Sequence, residues 1–283
     1  MQRALGLTRR RAQRGFVLIT VLWVALGLLL AASSYLVTQR QTALATRAEV
    51  ETTRAVELAR SAINVAMADL GRIGEEEARS SRDGTPVTIT MAEGQATYRI
   101  WDEGGKLDIN AAPVELLGPV LQNMGEGSGI DAFDAVTIAQ ALVTQRADAN
   151  SRDFSRPIPQ LLTDLGLPQD VSLRARQVLT TYNGTPQVNP VTASPALLAA
   201  IPGIGPSDVE RIVQRRIAGL SMPRLGTASV WLSGTEGPVY TIEARSTLQS
   251  GVSVDMIATV AAQGISFRGG IMRYDILGVE ILR

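Results

Sequence analysis

Apolar residues near the start of the chain form first an unbroken run and then a regular pattern. The run Phe16–Val37 has no charged side chain, and 13 of its 22 residues are Leu, Ile, Val or Phe. At about 1.5 Å per helical residue, such a run is long enough to cross a bilayer core of about 30 Å.

The regular pattern comes next, in Ser33–Leu70, which no Pro or Gly interrupts. Small apolar side chains recur there at steps of three and four, which is the period of an amphipathic helix. The recurring positions are Ala55, Ala59, Ala62, Ala66 and Leu70. We predict one helix over Phe16–Leu70, with its first half in a membrane and its second half packed on a sheet, ended by Gly71 and Gly74. A juxtamembrane coiled coil is the alternative.

Shorter segments with strand-like patterns flank a block that is predicted to be helical. The predicted strands are Val87–Met91, Gln95–Trp101, Val239–Ser246, Val254–Ala262 and Tyr274–Leu282. This order predicts an α+β fold with a long N-terminal helix, a small antiparallel sheet as the head, and a large inserted all-α domain of the helix–hairpin–helix kind. The predicted limits are a leader over 1–15, a transmembrane and spine helix over 16–71, the first part of the head over 72–106, the inserted domain over 107–222, and the second part of the head over 223–283.

The formal net charge is zero, but the charges are unevenly distributed. Five of the 27 basic residues are arginines within residues 1–15, which hold no acidic residue, so the rest of the chain has a formal charge of −5. Arginines before an apolar run keep the N-terminus in the cytoplasm and direct the later residues to the other side of the membrane. The mildly acidic remainder predicts no partner among nucleic acids.

Two residue types that carry much of protein chemistry are missing, because the sequence has no His and no Cys. The commonest general base and zinc ligand are therefore unavailable, as are thiol catalysis and disulfides. We expect no enzymatic activity and no resident cofactor.

The junction between the leader and the apolar run admits three interpretations. One is a secretory signal cleaved near Ala31-Ala32-Ser33, and another is an uncleaved membrane anchor. In the third, the basic leader ends at Gly15, and Phe16 opens the apolar run without a spacer. This junction resembles the type IV prepilin signal, which implies that prepilin peptidase cuts after Gly15 and methylates the new N-terminal Phe16. We favour the third interpretation.

Thr20 narrows this resemblance. Major pilins and pseudopilins have Glu as the fifth mature residue, and that position is Thr20 here. An unpaired carboxylate within a membrane costs about 3 kcal/mol, and a subunit at a filament tip has no neighbour above it to pair with. Lack of the Glu is the pattern of the general secretion pathway protein K family of minor pseudopilins. The alternative is that Thr20 marks a chain that is not a pilin.

The inserted block contains a helix–hairpin–helix motif, whose turn Ile201–Gly205 separates two predicted helices. Gly203 and Gly205 in such a turn let the backbone approach a phosphate. A membrane-anchored DNA receptor of the competence type is therefore the alternative function. Cations are few, since the chain has one lysine, and Asp208 and Glu210 lie beside the hairpin. We favour a structural role for the motif.

Two related stretches, residues 107–117 and 188–198, each hold an Asn, a small residue before Pro, and then Leu-Leu. They resemble the paired stretches that bound the helical insertion of the K-type family, although residues 141–150 depart from the family pattern. The resemblance covers the leader, the spine, both stretches and the closing strands. It implies a minor pseudopilin at the tip of a type II secretion pseudopilus that supports protein export across the outer membrane.

The same resemblance implies a location and a set of partners. The chain would cross the bacterial inner membrane once, with its N-terminus in the cytoplasm and its head in the periplasm. Its partners would be other minor pseudopilins, the major pseudopilin and prepilin peptidase, with exported proteins as a further contact.

Calcium is the one metal that the K-type resemblance implies, and it requires clustered oxygen ligands. The candidate ligands are Asp102, Glu103 and Asp108, which lie in one turn-rich stretch. The favoured alternative is that these side chains are solvated loop acids.

Overall fold

The computed structural model describes residues 5–72, 81–126, 131–147, 158–266 and 271–282. Within these ranges the α-helices are α1 (Leu5–Leu70), α2 (Val114–Met124), α3 (Ala132–Ala147), α4 (Ile158–Asp164), α5 (Gln169–Arg174), α6 (Pro195–Ala200) and α7 (Pro206–Ile217). The strands are β1 (Val87–Met91), β2 (Gly94–Asp102), β3 (Leu107–Asp108), β4 (Leu179–Thr180), β5 (Val239–Leu248), β6 (Ser253–Ser266) and β7 (Ile271–Leu282). The predicted break at Gly74 and the first four residues of the leader lie outside the described residues.

Contacts divide the chain into two compact units, Met1–Arg54 and Ala55–Arg283. The first unit consists of the N-terminal part of α1. From Leu18 onward its large apolar side chains are exposed, and an 18-residue window reaches a mean hydropathy of 2.0 with none of it buried. Among the described residues, α1 is the one helix whose length and composition suit a membrane crossing, which is compatible with a single-pass anchor.

Helix α1 begins at Leu5, whereas the sequence pattern placed its start at Phe16. The pattern followed the apolar run, but the leader before it is rich in Arg, Ala and Leu, which are good helix formers. The helix ends at Leu70, as predicted, where the Gly71 N–H donates to the Met67 carbonyl at 3.1 Å.

A five-stranded antiparallel sheet with the order β1-β2-β5-β6-β7 forms the head of the second unit. All five strands predicted from the sequence are present, and most extend one to four residues further. A tight turn joins β1 to β2, with Met91 opposite Gly94. The mixed α+β fold with a long N-terminal helix and a small antiparallel sheet is therefore confirmed.

The last turns of α1 pack on one face of this sheet. Ala55, Ala59, Ala62 and Ala66 are fully buried there, together with alternate strand residues such as Ile100 and Ile242. Alanines let the helix approach the sheet closely, because their side chains extend little beyond the backbone. The three-and-four spacing in the sequence thus corresponds to the buried face of the helix.

The remaining helices surround a second hydrophobic core, rich in Leu, which extends from Leu107 to Ala228. We call the segment 107–232 the helical lobe, since Trp231 and Leu232 also pack against this core. The lobe is not entirely helical, because β3 and β4 form a short parallel pair in which Leu107 lies opposite Leu179. Strands β3 and β4 have two residues each, which is too short for an alternating pattern to be recognised in the sequence.

Candidate functional site

The predicted processing junction lies within helix α1. The backbone at Gly15 and Phe16 is helical, and the side chain of Phe16 is outside the described part of the structure. Thr20 lies on the same helix with an exposed side chain, among exposed apolar neighbours such as Ile19 and Trp23. Cleavage after Gly15 stays a prediction.

The predicted hairpin connects α6 and α7. Gly203 adopts a φ of +89°, which L-residues with side chains rarely adopt, and an added Cβ would lie 3.1 Å from the Thr227 hydroxyl oxygen. Gly205 precedes α7, and its N–H donates to Asp208 Oδ2 at 3.1 Å. Turn geometry and packing within the lobe therefore account for Gly203, whereas Gly205 has an extended backbone with a φ of −91° and space for a Cβ.

The arginines of α7 make contacts within the lobe. Arg211 pairs with Asp208, Arg215 Nε donates to the Ser221 carbonyl at 2.5 Å, and Arg216 Nε donates to the Pro190 carbonyl at 2.7 Å. Burial lowers the pKa of the Arg216 guanidinium, an effect that the charge of Asp83 opposes. The part-buried contact of Arg216 favours the structural interpretation of the hairpin, whereas Arg211, whose side chain is 53% exposed, faces the solvent.

Asp102 ends strand β2 and connects three distant parts of the second unit. Its Oδ1 accepts from the Gly104 and Gly237 N–H groups, both at 2.9 Å, and its Oδ2 accepts from Asn189 Nδ2 at 3.1 Å and Thr192 Oγ1 at 2.8 Å. A buried carboxylate is stabilised when its lone pairs are used in this way. Asp102 therefore holds the end of β2, the approach to β5 and the helical lobe together.

Glycine is required beside this carboxylate. A Cβ on Gly104 would lie 2.6 Å from the Gly237 backbone nitrogen, and a Cβ on Gly237 would lie 2.7 Å from the Gly104 nitrogen. The two backbones therefore approach each other too closely for any side chain. The absence of a side chain at Gly104 and Gly237 thus allows this contact.

Glu103, next along the chain, forms a buried ion pair with Lys106, the chain's one lysine. Lys106 Nζ donates to Glu103 Oε1 at 2.5 Å, and the Thr241 hydroxyl donates to the same oxygen at 2.6 Å. Asp108, also buried, accepts from the Asn110 N–H at 2.7 Å and from the Gly184 N–H at 2.6 Å. The charge of each acid is thus met by donors of the chain itself.

The favoured sequence interpretation of these acids was wrong. Asp102, Glu103 and Asp108 are buried rather than solvated. The signal that sequence reasoning missed is the single lysine placed three residues after Glu103, since a buried acid in a loop needs a nearby cation or hydrogen-bond donor. Within the described part of the chain, no group of three or more acidic residues could hold a metal ion. Calcium at these residues stays a prediction.

A cavity of about 660 Å³ opens between the sheet and the helical lobe, and sequence reasoning did not find it. Its floor includes Thr241 and Thr259 of the sheet, and its opposite wall includes Tyr182 of the lobe. Burial and the charges of Glu103 and Glu280 raise the pKa of Tyr182, and a hydrogen bond with Thr259 lowers it by less. Only the folded arrangement brings these residues together, so no local sequence pattern signals the cavity.

Comparison with solved structures identifies the fold. A chain in the crystal structure of the GspK-GspI-GspJ complex from the enterotoxigenic Escherichia coli type 2 secretion system superposes with a TM-score of 0.54. The match covers 84% of this chain and 99% of that chain, at 16% sequence identity. The chain has a pseudopilin-like fold. No protein-family model matches the sequence, and no curated protein matches it.

The pseudopilin-like fold agrees with the resemblance found in the sequence at the level of architecture. In this chain the elements that agree are a long N-terminal apolar helix, a small antiparallel sheet and additional helices. At 16% identity the likeness shows the fold alone.

Proposed function

We propose that this chain is a minor pseudopilin of a type II secretion system, with the K-type position at the tip of the pseudopilus. The observation that carries the proposal is the extent of the structural match, which covers 99% of a chain from a complex of such proteins. The match also covers 84% of this chain, so it extends into the helical lobe. The role of this chain would be mechanical, in support of protein export across the outer membrane.

The two units support different parts of this role. The exposed apolar surface of α1 in the first unit suits burial in a membrane and against the helices of other pseudopilins. The second unit has separate cores for the sheet and the lobe, so the lobe adds bulk to the head without replacing the sheet. In the proposed mechanism this bulk limits growth of the filament beyond the tip.

The N-terminal sequence supports the proposed maturation and location. Prepilin peptidase would remove residues 1–15 and methylate Phe16. The mature chain would cross the inner membrane once, with its head in the periplasm. Thr20 suits the terminal position, because a carboxylate there would have no N-terminal amine of a higher subunit to pair with.

Assembly with other minor pseudopilins tests the proposal. The full-length chain is produced with the other minor pseudopilins of the same secretion system, one of them is tagged, and the purified complex is weighed by native mass spectrometry. We expect one complex that contains this chain. Thr20→Glu should lower its yield, whereas the matched Thr20→Ser change should not. A complex that forms without this chain would contradict the proposal.

A DNA receptor is the second candidate function, because the structure contains the predicted hairpin with Gly203 and Gly205 between α6 and α7. Its test is binding of duplex DNA by the full-length protein at moderate salt. Binding that Gly203→Asp abolishes would favour this candidate. We expect no such binding, since Arg216 donates to the Pro190 carbonyl within the lobe and Arg211 is paired with Asp208.

A further inference from the structure

Strand β7 is an open edge of the sheet. Among the described strands it pairs only with β6, and the strand at the opposite edge is β1. Strand β1 has five residues, whereas β7 has twelve and contains no Pro. Proteins protect the edges of sheets by keeping edge strands short or by placing Pro in them. Strand β7 therefore presents a long row of backbone donors and acceptors without either protection.

One face of β7 extends the apolar surface that packs on α1. Residues directly opposite each other on neighbouring strands point to the same face. Three apolar residues of β7 lie on this face, each opposite a buried residue of β6. The pairs are Ile276 with Val260, Val279 with Ala258, and Ile281 with Met256. The three β7 side chains are themselves 46% to 50% exposed, so α1 and β6 leave about half of each one uncovered.

The other face of β7 carries two opposite charges. The Tyr274 hydroxyl donates to the Leu70 carbonyl at 3.2 Å, so Tyr274 lies on the α1 face. Arg273 and Asp275, on either side of it in the strand, therefore point to the other face, and both are exposed. Among the described residues, the one salt bridge of β7 is that of Glu280. Arg273 and Asp275 thus form no salt bridge within the part of the chain that the structure describes.

An extended polypeptide matches this edge in three respects. Its backbone has the spacing of β7, so N–H and C=O groups can pair along the strand. Its side chains alternate between the two faces, so apolar residues can lie beside Ile276, Val279 and Ile281. In an antiparallel segment, a cation followed two residues later by an acid places the cation opposite Asp275 and the acid opposite Arg273.

A second copy of this chain fits the edge less well. Its own Arg273 and Asp275 have the required order, so two copies of β7 could pair antiparallel about Tyr274. Since β7 begins three residues before Tyr274, that pairing would extend only three residues beyond it. The half-exposed Val279 and Ile281 would stay uncovered. A separate segment has no such limit and can follow β7 to its end.

We propose that β7 binds an extended segment of a partner polypeptide, which adds an antiparallel strand to the edge of the sheet. Apolar residues of the segment pack beside Ile276, Val279 and Ile281, and a lysine or arginine of the segment lies opposite Asp275. The edge belongs to the second unit and needs no processing at Gly15, so the proposal is independent of the proposed function.

The test measures binding of two peptides to the full-length protein in detergent micelles. The first is Val-Thr-Val-Thr-Val-Lys-Val-Glu-Val, labelled with tetramethylrhodamine and amidated, and the second has Glu in place of Lys. Fluorescence anisotropy reports binding, and empty micelles correct for binding to detergent. We expect the Lys peptide to bind about tenfold more tightly, because the change to Glu turns an attraction to Asp275 into a repulsion. Equal binding of both peptides, or of neither, would overturn the proposal.

Charge reversal at Asp275 locates the site. Asp275→Lys should reverse the preference, so that the second peptide binds about tenfold more tightly than the Lys peptide. A gain of binding cannot come from loss of the fold. Glu93→Lys makes the same change in the β1–β2 turn and should leave the preference for the Lys peptide unchanged. A preference that Asp275→Lys does not alter would contradict the proposed site.

The mass of the protein distinguishes a partner polypeptide from a second copy. Native mass spectrometry of the full-length protein, released from its micelles, should show the monomer. A dimer that Asp275→Lys separates would overturn the proposal, because the occupant of the edge would then be a second copy of β7.

Discussion

The sheet and the helical lobe are built on different principles, although both belong to the second unit. The sheet core combines alternating strand residues with the alanines of α1, and its strands are long and regularly paired. The lobe core relies on Leu, and its helices are short, between 6 and 16 residues. Short helices have little stability of their own. The lobe is attached to the sheet through buried polar side chains, above all Asp102.

The chain contains reporters for both regions. Trp101 lies in strand β2, and Trp231 packs against the lobe core. A variant that lacks Trp23 and keeps one of these two tryptophans reports the unfolding of one region by fluorescence. Urea titrations of full-length protein in detergent can thus compare the sheet with the lobe.

The largest effect is expected for Asp102→Ala, with a loss of about 4 kcal/mol in the free energy of unfolding. The change leaves the Gly104 and Gly237 N–H groups and two side-chain donors buried without an acceptor. Trp231 should report unfolding at lower urea than Trp101, because the lobe loses its attachment. Asp170→Ala removes an exposed ion pair instead and serves as the control. A single transition shared by both tryptophans would contradict the difference between the regions.

A change within the lobe core ranks second. Leu117→Ala should lower the free energy of unfolding by about 3 kcal/mol, because Leu117 is fully buried and its loss leaves a cavity. The urea midpoint from Trp231 should shift more than that from Trp101. Leu173→Ala, at an exposed position of α5, should shift neither. Equal shifts at both tryptophans would show that the two cores unfold together.

A change in the sheet core ranks third. Ala62→Leu should destabilise by about 2 kcal/mol, since the larger side chain forces α1 away from the sheet. Here Trp101 should report the greater shift. Ala48→Leu, on the exposed part of α1, is the matched control and should leave both midpoints in place. Tolerance of Ala62→Leu would mean that close approach of the helix is not what the alanines provide.

The smallest effect is expected for Arg176→Gln, below about 1 kcal/mol, because its ion pair with Glu280 is partly exposed to solvent. This pair joins the lobe to β7. The change therefore tests whether an ion pair at the cavity between the sheet and the lobe contributes to the attachment as Asp102 does. Thermal unfolding followed by circular dichroism measures it. A loss as large as that for Asp102→Ala would mean that the main attachment of the lobe is at β7 and not at the end of β2.

The sequence predicted the sheet region well because its signals are local. Alternation along the strands and the three-and-four spacing in α1 each reflect which face of one element is buried. Gly203 of the hairpin was also recognised, since its left-handed backbone restricts the residue type.

The sequence did not predict the attachment of the lobe through Asp102 or the cavity between the sheet and the lobe, because both depend on residues far apart in the sequence. Asp102 meets Asn189, Thr192 and Gly237 only in the folded chain. Likewise Glu243 on β5 and Glu280 on β7 lie in one row of the sheet, on either side of Ile257, and neither residue is distinctive in its local segment. A polar residue in a turn is solvated by default, so apart from Lys106, three residues after Glu103, no local signal predicts that Asp102 and Glu103 are buried.

The central claim, that this chain is a pseudopilin, is tested most directly by the intact mass of the mature protein. The chain is produced with prepilin peptidase, purified from the membrane and measured by mass spectrometry, with a strain lacking the peptidase as control. The account predicts loss of residues 1–15 and a methylated Phe16, and only the uncut chain in the control strain. Cleavage after Ser33, or an uncut chain in the presence of the peptidase, would contradict it.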